Sequence, residues 1–214
     1  LPPVYSNLSV ENNTLYLQLP DKKIPELRDT ARYTLAQLQG NPQGADTGIA
    51  FDFGPSLNGT LYYGFIPYGD SKHPHPVYFR TPAAIVAGKA FIDIAKTLSG
   101  LYDMVGWQAS GQGTLGYRVV NERGEMLYDG IVSFKGTGPF EVDVTLIEGP
   151  FINQLSPEGA VISFTTNRSV RAEIEVNGRT FTDAAATLVH EIPVSGLQPA
   201  TDYEYRVRYG EREL

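Results

Sequence analysis

Toward the end of the chain, Tyr203, Tyr205, Val207 and Tyr209 alternate with Glu204, Arg206 and Arg208. A period of two places successive side chains on opposite faces, so this run predicts a strand with one face buried and one in water. Upstream, Ile162 and Phe164 share a face within Ala160–Thr166. Val170, Ala172, Ile174 and Val176 alternate with Arg171, Glu173 and Glu175, and Leu188, His190, Ile192 and Val194 take one face of a further strand. The Asn177-Gly178 step between two of these runs is a strong hairpin signal, because both central positions of the favoured turn need positive φ.

The first two-thirds carry a less regular pattern. Leu27, Ala31, Leu35 and Leu38 recur at helical spacing between Pro25 and Gly40-Asn41-Pro42, which predicts a helix over 25–39; a strand over 32–37 is the alternative. Beyond it the texture is β. Residues 49–53 and 61–67 flank Leu57-Asn58-Gly59-Thr60 and read as a hairpin, and residues 115–120 and 126–134 flank Asn121-Glu122-Arg123-Gly124 as a second one. Residues 83–98 read as strands broken at Gly88. The expectation is a mainly all-β chain of two β-sandwich domains: 1–146, jelly-roll-like, and 147–214, immunoglobulin-like, with the boundary near Leu146–Pro150.

The order Gly149-Pro150-Phe151, Ala160–Thr166, Val170-Arg171 and His190–Val207 resembles the fibronectin type III-like domain that precedes the catalytic domain of purple acid phosphatases and related metallophosphoesterases. The likeness spans residues 147–210. Leu197, Pro199, Thr201 and Tyr203 form its corner, which ordinary fibronectin type III domains share, and in such a corner the tyrosine hydroxyl bonds back to the preceding turn. His190 and the Tyr203-x-Tyr205-Arg206-Val207 strand are the more specific part. Phe164 departs from the pattern, since many members carry Trp there. The resemblance implies a non-catalytic region whose partner is the catalytic domain of the parent protein. Any binuclear metal would belong to that domain, and the location would be secreted, periplasmic or cell-surface. On that reading the chain is a fragment of a longer protein, and the Tyr203–Tyr209 strand lacks its last neighbour and is left with an open edge.

The residues agree with a non-catalytic reading. A binuclear metallophosphoesterase needs several His, Asp and Asn ligands, but this chain of 214 residues has three histidines, His73, His75 and His190, and no Asp-x-His, Gly-Asp-x-x-Tyr or Gly-Asn-His-Glu/Asp run. Neither catalytic residues nor a cofactor site are therefore expected in it. Asp70, His73 and His75 form the one cluster that chemistry would allow to hold a metal, although a solvated turn explains them as well. His190 falls on the buried parity of its strand, so a hydrogen-bonded role at the sandwich rim is expected. Gly111-Gln112-Gly113-Thr114-Leu115-Gly116 matches a dinucleotide fingerprint by its letters, but strand residues follow where that motif needs a helix.

The rival reading is a stand-alone module that binds carbohydrate or protein, for which Tyr62, Tyr63, Phe65, Tyr68, Tyr78 and Trp107 would supply stacking rings. Tyr62 and Tyr63 point to opposite faces of a strand, so packing in the core is the competing role. No serine sits in a Gly-x-Ser-x-Gly elbow. Asn7, Asn12, Asn58 and Asn167 stand in Asn-x-Ser/Thr runs, which matter only in a eukaryotic secreted protein. With 17 basic against 24 acidic residues and no basic cluster, nucleic acid is not an expected partner. No apolar run is long enough for a membrane span. The start, Leu1-Pro2-Pro3, carries no signal peptide, and the chain has no cysteine.

Overall fold

The computed structural model describes residues 6–26, 33–68 and 74–214, which fall into two units divided after Thr34. The first unit is a small antiparallel sheet of β1 (Leu8–Glu11), β2 (Thr14–Gln18) and β3 (Lys23–Pro25). Asn12 and Asn13 join β1 to β2 at φ 47° and 60°, both in the left-handed region that a two-residue hairpin turn requires and asparagine tolerates. Lys23 pairs with Glu11 and lies over the Tyr16 ring, 4.4 Å from its centroid.

The second unit begins with α1 (Leu35–Gln39), all that is seen of the helix expected over 25–39. Pro25 ends β3 as a strand residue opposite Tyr16, where a missing N–H is tolerated, and residues 27–32 lie outside the described ones. Gly40 ends the helix as expected: its φ is 71°, and the Phe53 ring fills the space a Cβ would need.

Next come β4 (Gln43–Gly44), β5 (Gly48–Asp52), β6 (Gly59–Phe65), β7 (Val77–Tyr78), β8 (Ala83–Ile85) and β9 (Lys89–Asp93). The hairpin expected between residues 49–53 and 61–67 does not form. β5 pairs with β4 and β9, whereas β6 pairs with β7, β8 and a later strand. The loop between them binds the Ala87-Gly88 turn instead: Phe53 N–H donates to the Gly88 carbonyl, Gly88 N–H to Leu57 and Ala87 N–H to the Asn58 side chain. Leu57, with no exposed surface, is the core residue that carries the chain from one sheet to the other. The break at Gly88 is as expected, but β9 runs into α2 (Ile94–Thr97), because the Asp93 carboxylate accepts from Lys96 N–H and caps the turn.

A short turn, α3 (Trp107–Ser110), leads into β10 (Gln112–Asn121), β11 (Met126–Lys135) and β12 (Glu141–Val142). β10 and β11 form the second expected hairpin, with Leu115 opposite Val132 and Tyr117 opposite Gly130. The Gly111–Gly116 run enters a strand, and the Phe134 ring lies where a Cβ on Gly113 would sit. The sheet order is β12-β11-β10-β6-β7, with β8 also on β6, and β4-β5-β9 forms a separate sheet. The core of this part holds Ile49, Phe51, Phe53, Phe65, Trp107, Phe134 and Phe140.

The remainder is β13 (Leu146–Ser156), β14 (Gly159–Val170), β15 (Ala172–Val176), β16 (Arg179–Thr182), β17 (Thr187–Ser195), β18 (Tyr205–Tyr209) and β19 (Arg212–Glu213). They form the sheets β13-β14-β17 and β16-β15-β18-β19, three strands against four, and the molecule is all-β with antiparallel sheets throughout. Ile162, Phe164, Ile174, Ile192, Val194, Val207 and Tyr209 fill the space between these last two sheets. The open edge expected along β18 is taken up in part. β19 pairs with Arg208 and Tyr209, and Val207 and Leu214 exchange both backbone bonds.

Candidate functional site

Two residues singled out from the sequence, Phe164 and His190, meet inside the sandwich of residues 146–214. Phe164 on β14 and His190 on β17 are direct cross-strand partners on the inward face, and their rings stack with centroids 4.4 Å apart and planes 12° from parallel. His190 is fully buried. Its Nδ1 lies 2.7 Å from Asp183 Oδ2, and its Nε2 lies 3.0 Å from the Thr166 hydroxyl. A carboxylate can only accept, so Nδ1 carries the proton that points at Asp183. The same Asp183 oxygen accepts from Ala172 N–H at 2.8 Å. Asp183 and Ala172 belong to the four-stranded side and Thr166 and His190 to the three-stranded side, so the network staples one sheet to the other.

Thr, His and Asp in this order have the connectivity of a nucleophile, a base and an orienting acid. Their surroundings give them a different role. Thr166 is 1 % exposed, and its hydroxyl lies 2.9 Å from the Arg168 carbonyl and 3.4 Å from that of Leu188. No face of the oxygen is left for a substrate, and the group acts as a satisfied buried polar network. Asp183 and Thr166 were missed from the sequence. Thr166 continues the inward parity of Ile162 and Phe164, a signal that was available; Asp183 follows β16 in a loop and gave none.

The corner is formed as the sequence predicts. Gln198 N–H donates to the Tyr203 hydroxyl at 2.9 Å, and Thr201 Oγ1 donates to the Pro199 carbonyl. Leu197, Tyr203 and Tyr205 pack half-buried against the sandwich core.

A second hub lies at Arg212. Its guanidinium donates to Asp143 at 2.7 Å, to the Phe134 carbonyl at 2.8 Å and to the Thr114 hydroxyl at 3.4 Å. Thr145 extends this seam: its hydroxyl accepts from Ser133 N–H, and its own N–H donates to Asn167. Residues on both sides of Leu146 are thus bonded within one unit. Beside the seam opens a cleft of about 1010 Å³, walled by Gln39, Asn41, Gln43, Tyr128, Glu141 and Arg168 among others.

The aromatic set does not form one platform. Tyr63 is 4 % exposed and stacks on Phe79, while Tyr62 is 37 % exposed and meets Tyr78 edge-on. Trp107 is buried against Phe134 and Phe140, and its indole N–H donates to the Leu98 carbonyl. Phe65 is buried, and burial raises the Tyr68 phenol above its ordinary pKa. Of the candidate metal ligands, Asp70 and His73 lie outside the described residues, and His75 lies in a loop. Among the described residues no group of three or more His, Asp or Glu side chains is placed to hold a metal ion. Also among them, no helix is long and apolar enough to cross a membrane.

Neither protein-family models nor curated proteins match the chain. The functional reading therefore rests on the residues themselves.

Proposed function

We propose that this chain is the non-catalytic N-terminal region of a purple acid phosphatase-like metallophosphoesterase, and that its sandwich of residues 146–214 is a fibronectin type III-like platform for the metal-bearing catalytic part. The observation that carries the reading is the outer face of the β13-β14-β17 sheet. Phe151 and Val189 stand exposed there, next to the shorter Ser163 and Thr165, while the inner side of the same sheet is fixed by the His190 network. A rigid face with exposed large apolar side chains is what a neighbouring domain needs to pack on. The corner bond at Tyr203, the Phe164–His190 stack and the strand order support the likeness to the fibronectin type III domains of that family.

Two measurements test this. The isolated chain, given a phosphate monoester and added iron, zinc or manganese, should show no turnover above background; sustained hydrolysis overturns the reading. In the whole phosphoesterase, the pair Phe151→Asp and Val189→Asp should lower the unfolding midpoint of the catalytic part, while the isolated chain carrying the same pair keeps its own midpoint. A second reading, a carbohydrate-binding module, is favoured by the cleft beside the seam, where the planar amides of Gln39, Asn41 and Gln43 stand near Tyr128. A glycan array probed with the intact chain would support it by a hit that Gln43→Ala removes.

A further inference from the structure

Arg118 of β10 stands directly opposite Tyr62 of β6 on one side and Asp129 of β11 on the other, so the three project from one face of the sheet in a single row. Their chain neighbours Leu61, Tyr63, Tyr117 and Val119 point the other way and are buried. Tyr78 joins the row from β7, because it pairs with Gly64, the next outward position along β6. The rings of Tyr62 and Tyr78 meet edge-on with centroids 6.4 Å apart, and the Arg118 guanidinium lies 5.5 Å from the Tyr78 centroid. Two glycines let β7 lie this close. Pro76 occupies the place of a Cβ on Gly116, and the Val77 carbonyl the place of one on Gly64. Phe79 N–H then donates to the Tyr63 carbonyl at 2.7 Å and holds the segment down.

Arg118 and Asp129 form a fork, with Nε donating to Oδ1 at 2.7 Å and Nη2 to Oδ2 at 2.8 Å. The fork spends two of the five guanidinium N–H groups and one lone pair on each carboxylate oxygen. Among the described residues no other hydrogen bond engages the pair. The two side chains are 40 % and 47 % exposed, so the remaining donors and lone pairs are open to a ligand, and Tyr62 beside them is 37 % exposed.

We propose that this face is a binding platform for a neutral oligosaccharide: a pyranose ring stacks on Tyr62, Tyr78 braces its edge, and two adjacent hydroxyls of the sugar bridge Arg118 and Asp129. The C–H face of a pyranose suits an exposed phenol ring. A vicinal pair of hydroxyls offers one group to accept from the guanidinium and one to donate to the carboxylate, so both charges stay satisfied as water leaves. An apolar ligand would desolvate the same pair and return nothing. The two charges cancel, which selects against an anionic chain such as nucleic acid, whose phosphates need unpaired cations. None of the four residues lines the cleft beside the seam, so the platform is a separate site, and it rests on neither reading of the previous section.

The probes are cellohexaose and the β-linked mannohexaose, both neutral, each titrated into the intact chain while the backbone amide shifts of Tyr62, Tyr78 and Arg118 are followed by NMR. At least one should give saturable shifts at those positions with a Kd of about 1 mM or tighter. Tyr62→Ala should weaken that binding by roughly tenfold, and Arg118→Lys, which keeps the charge but loses the fork, by a similar factor. Each variant is read only with its unfolding midpoint unchanged; should either fail to fold, Asp129→Asn carries the same expectation. Shifts that do not saturate with either sugar at about 10 mM overturn the proposal. Binding that survives Tyr62→Ala and is removed by Gln43→Ala also overturns it, because the sugar then sits in the cleft.

Discussion

The sheets of residues 35–145 and the sandwich of residues 146–214 lie in one unit but are held by different means. The first packs ring on ring: Phe51 against Tyr117 at 5.0 Å, Trp107 against Phe140 at 5.3 Å and Phe134 against Phe140 at 5.4 Å. The second has a mainly aliphatic core, with Phe164 and Tyr209 among its rings and a buried His190–Asp183–Thr166 network set into it. Aromatic packing contributes area without fixing which strand meets which, because burial is non-directional. A buried hydrogen-bond network adds little net free energy when complete, yet costs much when one member is lost, so it penalises every sheet pairing but one. Where the core carries a buried polar network, pairing is enforced by its bonds; where rings fill the core, burial supplies the larger share.

That contrast is broken most strongly by Phe134→Ala. Phe134 has no exposed surface and touches Phe65, Trp107 and Phe140. Its removal should cost about 3–5 kcal/mol in a urea titration, and the Trp107 fluorescence should report it. A loss under about 1 kcal/mol would mean that the rings repack and that the aromatic half is not a fitted core.

Asp183→Ala should cost roughly 1–3 kcal/mol, because it leaves both His190 Nδ1 and Ala172 N–H buried without an acceptor. His190→Ala in the same background should then add far less than it does alone. Additivity in this double-mutant cycle would show that the groups do not act together. The sharper diagnostic is location: Asp183→Ala should speed amide exchange on β15 and β17 while β10 and β11 keep their protection.

The smallest effect is confined to alkaline pH. Burial pushes the Tyr209 phenol up to about 12, beyond its ordinary value of 10. The raised group stays protonated in the folded chain after the unfolded chain has begun to ionise. Its contribution is therefore complete below pH 10 and is lost as pH rises from there toward 12. Thermal unfolding of Tyr209→Phe, compared with the parent chain, should show no loss of this contribution across that window and little difference at pH 7. An unchanged alkaline limb would place the ionising groups elsewhere, Tyr117 first, since burial raises its phenol further still.

How much of this was legible follows from how local each signal is. The β10–β11 hairpin is written in Asn121 and Gly124 and in the alternation on either side, and the corner at Tyr203 in seven consecutive residues. Pairings decided by distant partners could not be read that way. Residues 49–53 and 61–67 have the texture of a hairpin, but Leu57 and the Ala87-Gly88 turn, some thirty residues apart in the chain, send them to different sheets. Of the helical spacing from Leu27 to Leu38, Leu35 and Leu38 lie in α1, Leu27 and Ala31 lie outside the described residues, and Pro25 is a strand residue of β3. Of the site, Phe164 and His190 were visible from parity. Asp183, Asp143 and Arg212, which supply its charge, were not, because charged residues in loops and on short strands ordinarily face water.

Arg212 has a mechanical consequence. It sits on β19, at the edge of the sandwich, yet its guanidinium grips Asp143 and the backbone of Phe134 in β11. A pull on β19 is thus delivered straight to the aromatic sheet, bypassing the peptide links at Leu146, and the halves turn as a single lever instead of two beads on a string.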